Sequence, residues 1–120
     1  MNVLDTSALI EIARNSVLGG AIVRNLGKTP VAITAVTCYE FSIGIRNDRE
    51  EDFLALFDSI ELDRQASIES SRIFKELKKK GITLDTSDLL IAGICKNRGA
   101  TLHTLDADFK KIPGLHVKHY

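Results

Sequence analysis

Short apolar runs alternate along the chain with longer segments of helical spacing, and that alternation predicts helices packed around a parallel sheet. Val3-Leu4 reads as a very short first strand. It runs into Asp5-Thr6-Ser7 and a helix from Ala8 to Arg14, which Asn15 to Gly20 break or bend before Ala21 to Leu26 continue it. Gly27 and Pro30 mark a turn, after which the branched run Val31-Ala32-Ile33-Thr34 predicts a second, buried strand. Helix resumes from Val36 to Ile45, and Asp48 to Phe57 predicts an acidic amphipathic helix. Ile60-Glu61-Leu62 fits a short strand or an extended link.

Arg64 to Lys80 predicts the longest helix, with Ala66, Ile73, Phe74 and Leu77 at helical spacing and Gly81 at the C-terminal stop. In the next helix, Ser87 to Asn97, the centre from Leu89 to Cys95 is almost wholly apolar, which predicts packing on several sides. Ala100 to Thr104 predicts a strand, Asp106 to Lys111 a single helical turn, and Leu115-His116-Val117 a last edge strand. No repeat, low-complexity tract or dividing linker interrupts the series, so residues 1–120 read as one domain.

Composition fits that reading. With 120 residues, 44% of them hydrophobic, the chain can bury one core without a disulfide or a structural metal. Cys38 and Cys95 stand alone in apolar stretches and are expected to be reduced and buried. No apolar run approaches the roughly 20 residues that span a bilayer, no signal-peptide pattern opens the chain, and the expected address is the cytoplasm.

Sixteen Lys+Arg balance sixteen Asp+Glu, so no overall positive field draws phosphate to the protein. The balance hides a polarity: residues 1–63 hold five basic and ten acidic groups, whereas residues 64–120 hold eleven and six.

Four acids stand out by position: Asp5 after the first strand, Glu40 in the helix after the second, Asp88 in the first turn of the apolar helix, and Asp106 after the late strand. In an open parallel sheet these places collect along one edge, where ligands bind, with Asp108 nearby. Each acid also has a plain structural role open to it. Asp5 and Asp106 are placed to cap the helices they precede, Thr37 and Glu40 have the spacing of a capping box, and Asp85 and Asp88 could act likewise. Taken together, four carboxylates at one edge are costly. A pair about 5 Å apart at an effective dielectric near 20 repels by about 3 kcal/mol, more than the roughly 1 kcal/mol of a cap, unless a cation lies between them. All-oxygen donors suit Mg²⁺ or Mn²⁺, and four acids can hold two such ions with room for a phosphodiester. Thr6, Ser7 and Thr104 put hydroxyls beside these acids, where they could orient water or a carboxylate.

These residues resemble a family. Val3-Leu4-Asp5-Thr6-Ser7-Ala8-Leu9-Ile10, Thr34 to Glu40 with Gly44, Asp88-Leu89-Leu90-Ile91-Ala92, Thr104-Leu105-Asp106-Ala107-Asp108-Phe109 and the closing Lys111 to Leu115 are similar, in this order, to the PIN-domain ribonucleases. Within these the chain most resembles the VapC-type toxins of prokaryotic toxin–antitoxin pairs. The resemblance implies a three-layer α/β/α sandwich with a central, mainly parallel sheet of 4–5 strands, and a Mg²⁺- or Mn²⁺-dependent endoribonuclease that forms a homodimer and is inhibited by a cognate antitoxin. It implies that Asp5, Glu40, Asp88 and Asp106 form the acidic quartet, that Asp108 is an auxiliary acid at the metal and that Thr104 is the polar residue of the site. The first strand is shorter than the family's usual one.

Two rival functions share the fold class. A phospho-receiver domain needs adjacent acids after strand one, an aspartate after the middle strand and a lysine after the last; a single acid follows strand one here and Thr34 ends the second strand. A catalytically silent PIN-like module that only binds a partner would not need the quartet. His103, His116 and His119 lack companion ligands and read as structural or surface residues. Tyr39 and Phe41 read as core or dimer contacts, and Lys78-Lys79-Lys80 as a solvated helix end. Arg46, Arg49, Lys96, Arg98, Lys110 and Lys111 are the cations expected to reach a substrate, and Phe53, Leu54, Leu56 and Phe57 suggest a dimer or antitoxin contact. With the five acids set aside in one pocket, eleven acids remain against sixteen basic groups, so the rest of the molecule carries +5 toward RNA.

Overall fold

Side chains of successive strand residues point to opposite faces of a sheet, and in this chain both faces are apolar, so helices cover both. The computed structural model describes residues 1–120. Its elements are β1 (Asn2–Leu4), α1 (Thr6–Ala13), α2 (Val17–Leu26), β2 (Val31–Thr34), α3 (Ala35–Ile43), α4 (Asp48–Leu54), β3 (Asp58–Ile60), α5 (Arg64–Lys79), α6 (Thr86–Arg98), β4 (Thr101–Thr104), a 3₁₀ turn (Ala107–Lys111) and β5 (His116–His119). The five strands are all parallel, in the order β3-β2-β1-β4-β5.

Val3 and Leu102 turn toward α5 and α6, in a core that also holds Ile73, Leu77, Ile91 and Phe109. Leu4, the next residue of β1, and Ile33, its partner in β2, turn the other way and pack with Leu9, Ile22 and Phe41 of α1, α2 and α3. The result is the three-layer α/β/α arrangement that the alternation predicts. No buried side-chain polar atom lacks a hydrogen-bond partner. His103, the polar member of β4 within the core, is bound through both ring nitrogens, at 2.8 Å each, to the Tyr120 hydroxyl and the Asn2 side chain, the structural role expected of it.

Several boundaries differ from the sequence reading. Gly19 and Gly20 do not break the first helical segment. The break lies at Arg14–Ser16, where Asn15 takes a positive φ of 52° and Ser16 caps α2 by accepting from the Gly19 amide. Gly19 serves close approach instead: a Cβ there would lie 2.3 Å from the Glu11 carbonyl oxygen. The acidic helix α4 stops at Leu54 rather than Phe57, and β3 precedes the expected segment. Phe53, Leu54 and Phe57 pack against the α1–α3 core, which leaves Leu56, 77% exposed, as the unburied part of the apolar surface expected for a partner. Cys95 is buried, Cys38 only half-buried, and both are free thiols.

Candidate active site

The chain runs from β1 outward to β2 and β3, then crosses to the other side of β1 for β4 and β5. The sheet therefore has its switch point between β1 and β4, whose C-terminal ends open a crevice at the place where open α/β sheets bind ligands. Asp5 leaves β1 into that crevice, and Thr104 and Asp106 leave β4 beside it. Glu40 comes from α3 and Asp88 from the first turn of α6.

Asp5 is the most tightly held of the acids and is 4% exposed. Its backbone N–H donates to the His103 carbonyl at 3.0 Å. Its Oδ1 accepts from the Ser7 hydroxyl at 2.6 Å and from the Ala8 amide at 2.9 Å, and its Oδ2 accepts from the Thr104 hydroxyl. Burial pushes the Asp5 carboxyl above the usual carboxylate range, the hydrogen bonds from Ser7, Thr104 and Ala8 pull it back, and the Asp106 charge raises it again. Glu40 accepts a 2.6 Å hydrogen bond from Thr6 at Oε1, which ties α3 to the start of α1.

The capping roles divide the quartet. Asp5 caps α1, and Asp106 caps the 3₁₀ turn by accepting from the Asp108 amide at 2.9 Å. Thr37 and Glu40 do not form a capping box; the cap of α3 is Thr34, whose hydroxyl accepts from the Thr37 amide at 3.1 Å. Asp85 sits at the N-cap of α6 without a side-chain cap bond, and Asp88 lies inside the first turn. Helix capping thus accounts for two of the four acids and leaves Glu40 and Asp88 without that explanation.

Asp88 carries the signature of the crowd. Burial first, then the charges of Asp106, Asp85, Glu40 and Asp5, push its carboxyl up to about 6. The four acids are therefore within electrostatic reach of one another. They do not touch, for no three Asp, Glu, His or Cys side chains are drawn together as a finished metal-binding cluster. The donor set nonetheless fits a hard divalent cation. All the donors are oxygens, Asp5 keeps a lone pair on Oδ2, and Glu40 keeps Oε2 uncommitted. Bringing a cation between them removes the repulsion that raises Asp88.

Asp108 stands apart from this group. It pairs with Lys111 at 2.8 Å, is half exposed, and is not among the charges that raise Asp5 or Asp88. Of the cations expected to reach a substrate, Lys96 is paired with Glu69 at 3.2 Å and Arg46 with Glu50 at 3.0 Å. Arg98 borders Met1 and Val31 at the end of the sheet opposite the acids, because α6 carries it about 15 Å from Asp88. A groove of about 810 Å³ borders Glu40 and is lined by Ile10, Arg14, Phe41, Arg46 and Arg49. Arg14 and Arg49 enter no ion pair there. Sequence reading missed Arg14, because only the end of α1 at Ala13 turns it toward the groove that α3 and α4 complete.

The raised Asp88 sets a pH dependence. A group whose folded pKa lies above its unfolded value contributes stability that is fully present below the unfolded pKa and is lost as pH rises through the folded one. Between about pH 4 and pH 7, ionised Asp88 accordingly weakens the metal-free protein, by about 1–2 kcal/mol once its partial exposure is discounted. In EDTA at pH 7, urea unfolding should find Asp88→Asn more stable than wild type, with the difference closing toward pH 4. An Asp88→Asn variant that is clearly weaker at pH 7 would mean that the side chain is there to hold α6 together.

Comparison with known proteins agrees with the geometry. The family model described as "PIN domain" matches residues 3–115. Ribonuclease VapC1 of Methanocaldococcus jannaschii is 35% identical over 103 residues, covering 78% of this chain and 68% of that protein. The tRNA(fMet)-specific endonuclease VapC of Salmonella typhimurium is 27% identical over 105 residues, covering 80% of each. Among solved structures, DNA-bound VapBC from Salmonella typhimurium superimposes with a TM-score of 0.79 at 26% identity, covering 99% of this chain and 98% of that one.

Proposed function

Since the chain belongs to the PIN-domain family and is similar across most of its length to VapC ribonucleases, we propose that it is an endoribonuclease acting as the toxin of a toxin–antitoxin pair. The observation that carries this reading is the four acids converging at the β1–β4 switch point, with Glu40 and Asp88 unexplained by capping. Asp5, Glu40, Asp88 and Asp106 would hold divalent cations, Mg²⁺ or Mn²⁺ by the hardness of their oxygens. The chemistry that such ions would supply at these residues is hydroxide at neutral pH and compensation of the charge that develops at phosphorus.

The chain's own residues do the rest. Thr104 holds Asp5 and, through the Asp106 amide that donates to its hydroxyl at 2.9 Å, the start of the turn beyond β4. Thr6 holds Glu40. Arg14 and Arg49, free in the groove beside Glu40, would contact phosphates of the strand leading away from the acids and give affinity without base choice. Tyr39 and Ile43, one helical turn apart on α3 and 68% and 69% exposed, are the surface that we assign to the homodimer. Asp108, with its carboxylate on Lys111, would be an auxiliary acid at the rim of the site. The antitoxin is the partner that holds the activity in check, and the cytoplasm is where both meet RNA. No helix is long and apolar enough to cross a membrane.

Incubating the purified protein with single-stranded RNA tests the reading. Cutting should require added Mg²⁺ or Mn²⁺, stop with EDTA, and leave 5′-phosphate and 3′-hydroxyl ends. Ends carrying a 2′,3′-cyclic phosphate would show attack by the ribose hydroxyl and overturn the metal-assisted mechanism.

A further inference from the structure

Ser7 lies two residues from Asp5, and its hydroxyl makes two contacts that point in chemically different directions. It donates to Asp5 Oδ1 at 2.6 Å and accepts from the backbone N–H of Leu105 at 3.1 Å. Thr104 does the matching thing one residue along: it donates to Asp5 Oδ2 and accepts from the N–H of Asp106 at 2.9 Å. A hydroxyl has a single proton. Because each of these two already receives an amide proton, each presents its own proton to Asp5, and both carboxylate oxygens are acceptors. The arrangement suits Asp5 as an anion, with the open lone pair on Oδ2 left facing the crevice.

The two hydroxyls hold different things. Thr104 ties the carboxylate to the last residue of β4, whereas Ser7, in the first turn of α1, ties it to Leu105 of the turn beyond the strand, ninety-eight residues later in the chain. The turn carries Asp106. Resting on the nuclease reading above, we propose that Ser7 is a positioning residue of the site: its hydroxyl sets the Asp5 carboxylate at a fixed separation from Asp106, so that the two acids present their oxygens to a cation together. The Ser7 proton is turned to Asp5 and one of its two lone pairs accepts from Leu105, so the hydroxyl is committed to holding the acids in place. Its influence passes through the geometry of the two acids, as that of hydrogen-bond partners behind metal ligands generally does.

Calorimetric titration of the full-length protein with Mn²⁺, in the absence of RNA, and cleavage kinetics on single-stranded RNA test this together. For Ser7→Ala, Mn²⁺ affinity or kcat falls by about 10–100-fold, KM for RNA stays within about twofold of wild type, and thermal melting shifts by only a few degrees. Ser7→Thr, which keeps the hydroxyl, restores both quantities to within about threefold. Should the alanine variant melt early, Ser7→Cys reads the same quantities, because it keeps the volume while its thiol donates weakly. Ser7→Ala with unchanged Mn²⁺ affinity and unchanged kcat, beside an active wild type, overturns the role of Ser7 and leaves the nuclease assignment standing. A wild type that neither takes up Mn²⁺ nor cuts RNA overturns both.

Discussion

Asp5→Asn and Asp88→Asn each lower kcat/KM for RNA cleavage by at least about a thousandfold while the protein keeps its fold. The magnitude follows from the role. A ligand acid lost from a divalent site removes several kcal/mol of stabilisation from the developing charge, and about 4 kcal/mol corresponds to a thousandfold in rate. The fold survives for a separate reason in each variant. Asparagine is as good an N-cap as aspartate, so at position 5 it still accepts from the Ala8 amide and keeps α1 started. At position 88 the carboxyl has no cap bond to lose and is raised to about 6, by burial first and then by the charges of Asp106, Asp85, Glu40 and Asp5, so the neutral amide removes an unfavourable charge. Kinetics at saturating Mg²⁺ beside circular-dichroism melts would separate the two quantities. Full activity in both variants would remove these acids from the site.

The largest effect on stability is expected at a residue far less conspicuous. Gly93 lies in α6, where a Cβ would stand 1.9 Å from the Ser70 hydroxyl, 2.7 Å from the Ala66 carbonyl and 2.8 Å from the Ser70 amide of α5. Two of those three atoms are backbone and cannot rotate away. The serine hydroxyl is itself bound to the Ala66 carbonyl at 3.0 Å, inside the buried seam between the helices. Gly93→Ala must separate α5 from α6. Overpacking of this kind costs about 2–3 kcal/mol, which for a chain of this size lowers Tm by roughly 10 °C. Since α6 also carries Asp88 five residues before Gly93, the same substitution should weaken cleavage. A Gly93→Ala protein melting within about 2 °C of wild type would show that the seam can open without loss.

Much of this molecule was legible in its residues. The strand–helix alternation predicts the parallel sheet, and the positions of Asp5, Glu40, Asp88 and Asp106 after strands or in helix first turns predict one shared edge. What stayed hidden has a common physical cause: it depends on the distance between elements, which periodicity does not carry. Gly19 and Gly93 read as a breaker and as one more small residue in an apolar helix, yet both are points where two helix backbones nearly meet. Asp108 looked like Asp106 in sequence, and only the geometry of the turn turns it to Lys111. Thr37 and Glu40 had the spacing of a capping box, but α3 begins three residues before Thr37, at Thr34, and frees Glu40 for Thr6.

The pairing of β1 with β4 also bears on when this protein becomes dangerous to RNA. Asp5 and the Thr104 that grips it are ninety-nine residues apart, so β1, whose other neighbour β2 follows within about thirty residues, must wait for nearly a hundred before β4 is made. Closing so long a loop is among the slow events of folding. During synthesis at about 5–20 residues per second, this leaves a nascent chain for several seconds with Asp5 and Glu40 made but Asp88, Thr104 and Asp106 still to come. A chain that stops before β4 lacks Thr104 and Asp106, and with them the hydroxyl that grips Asp5 and one of the four converging acids.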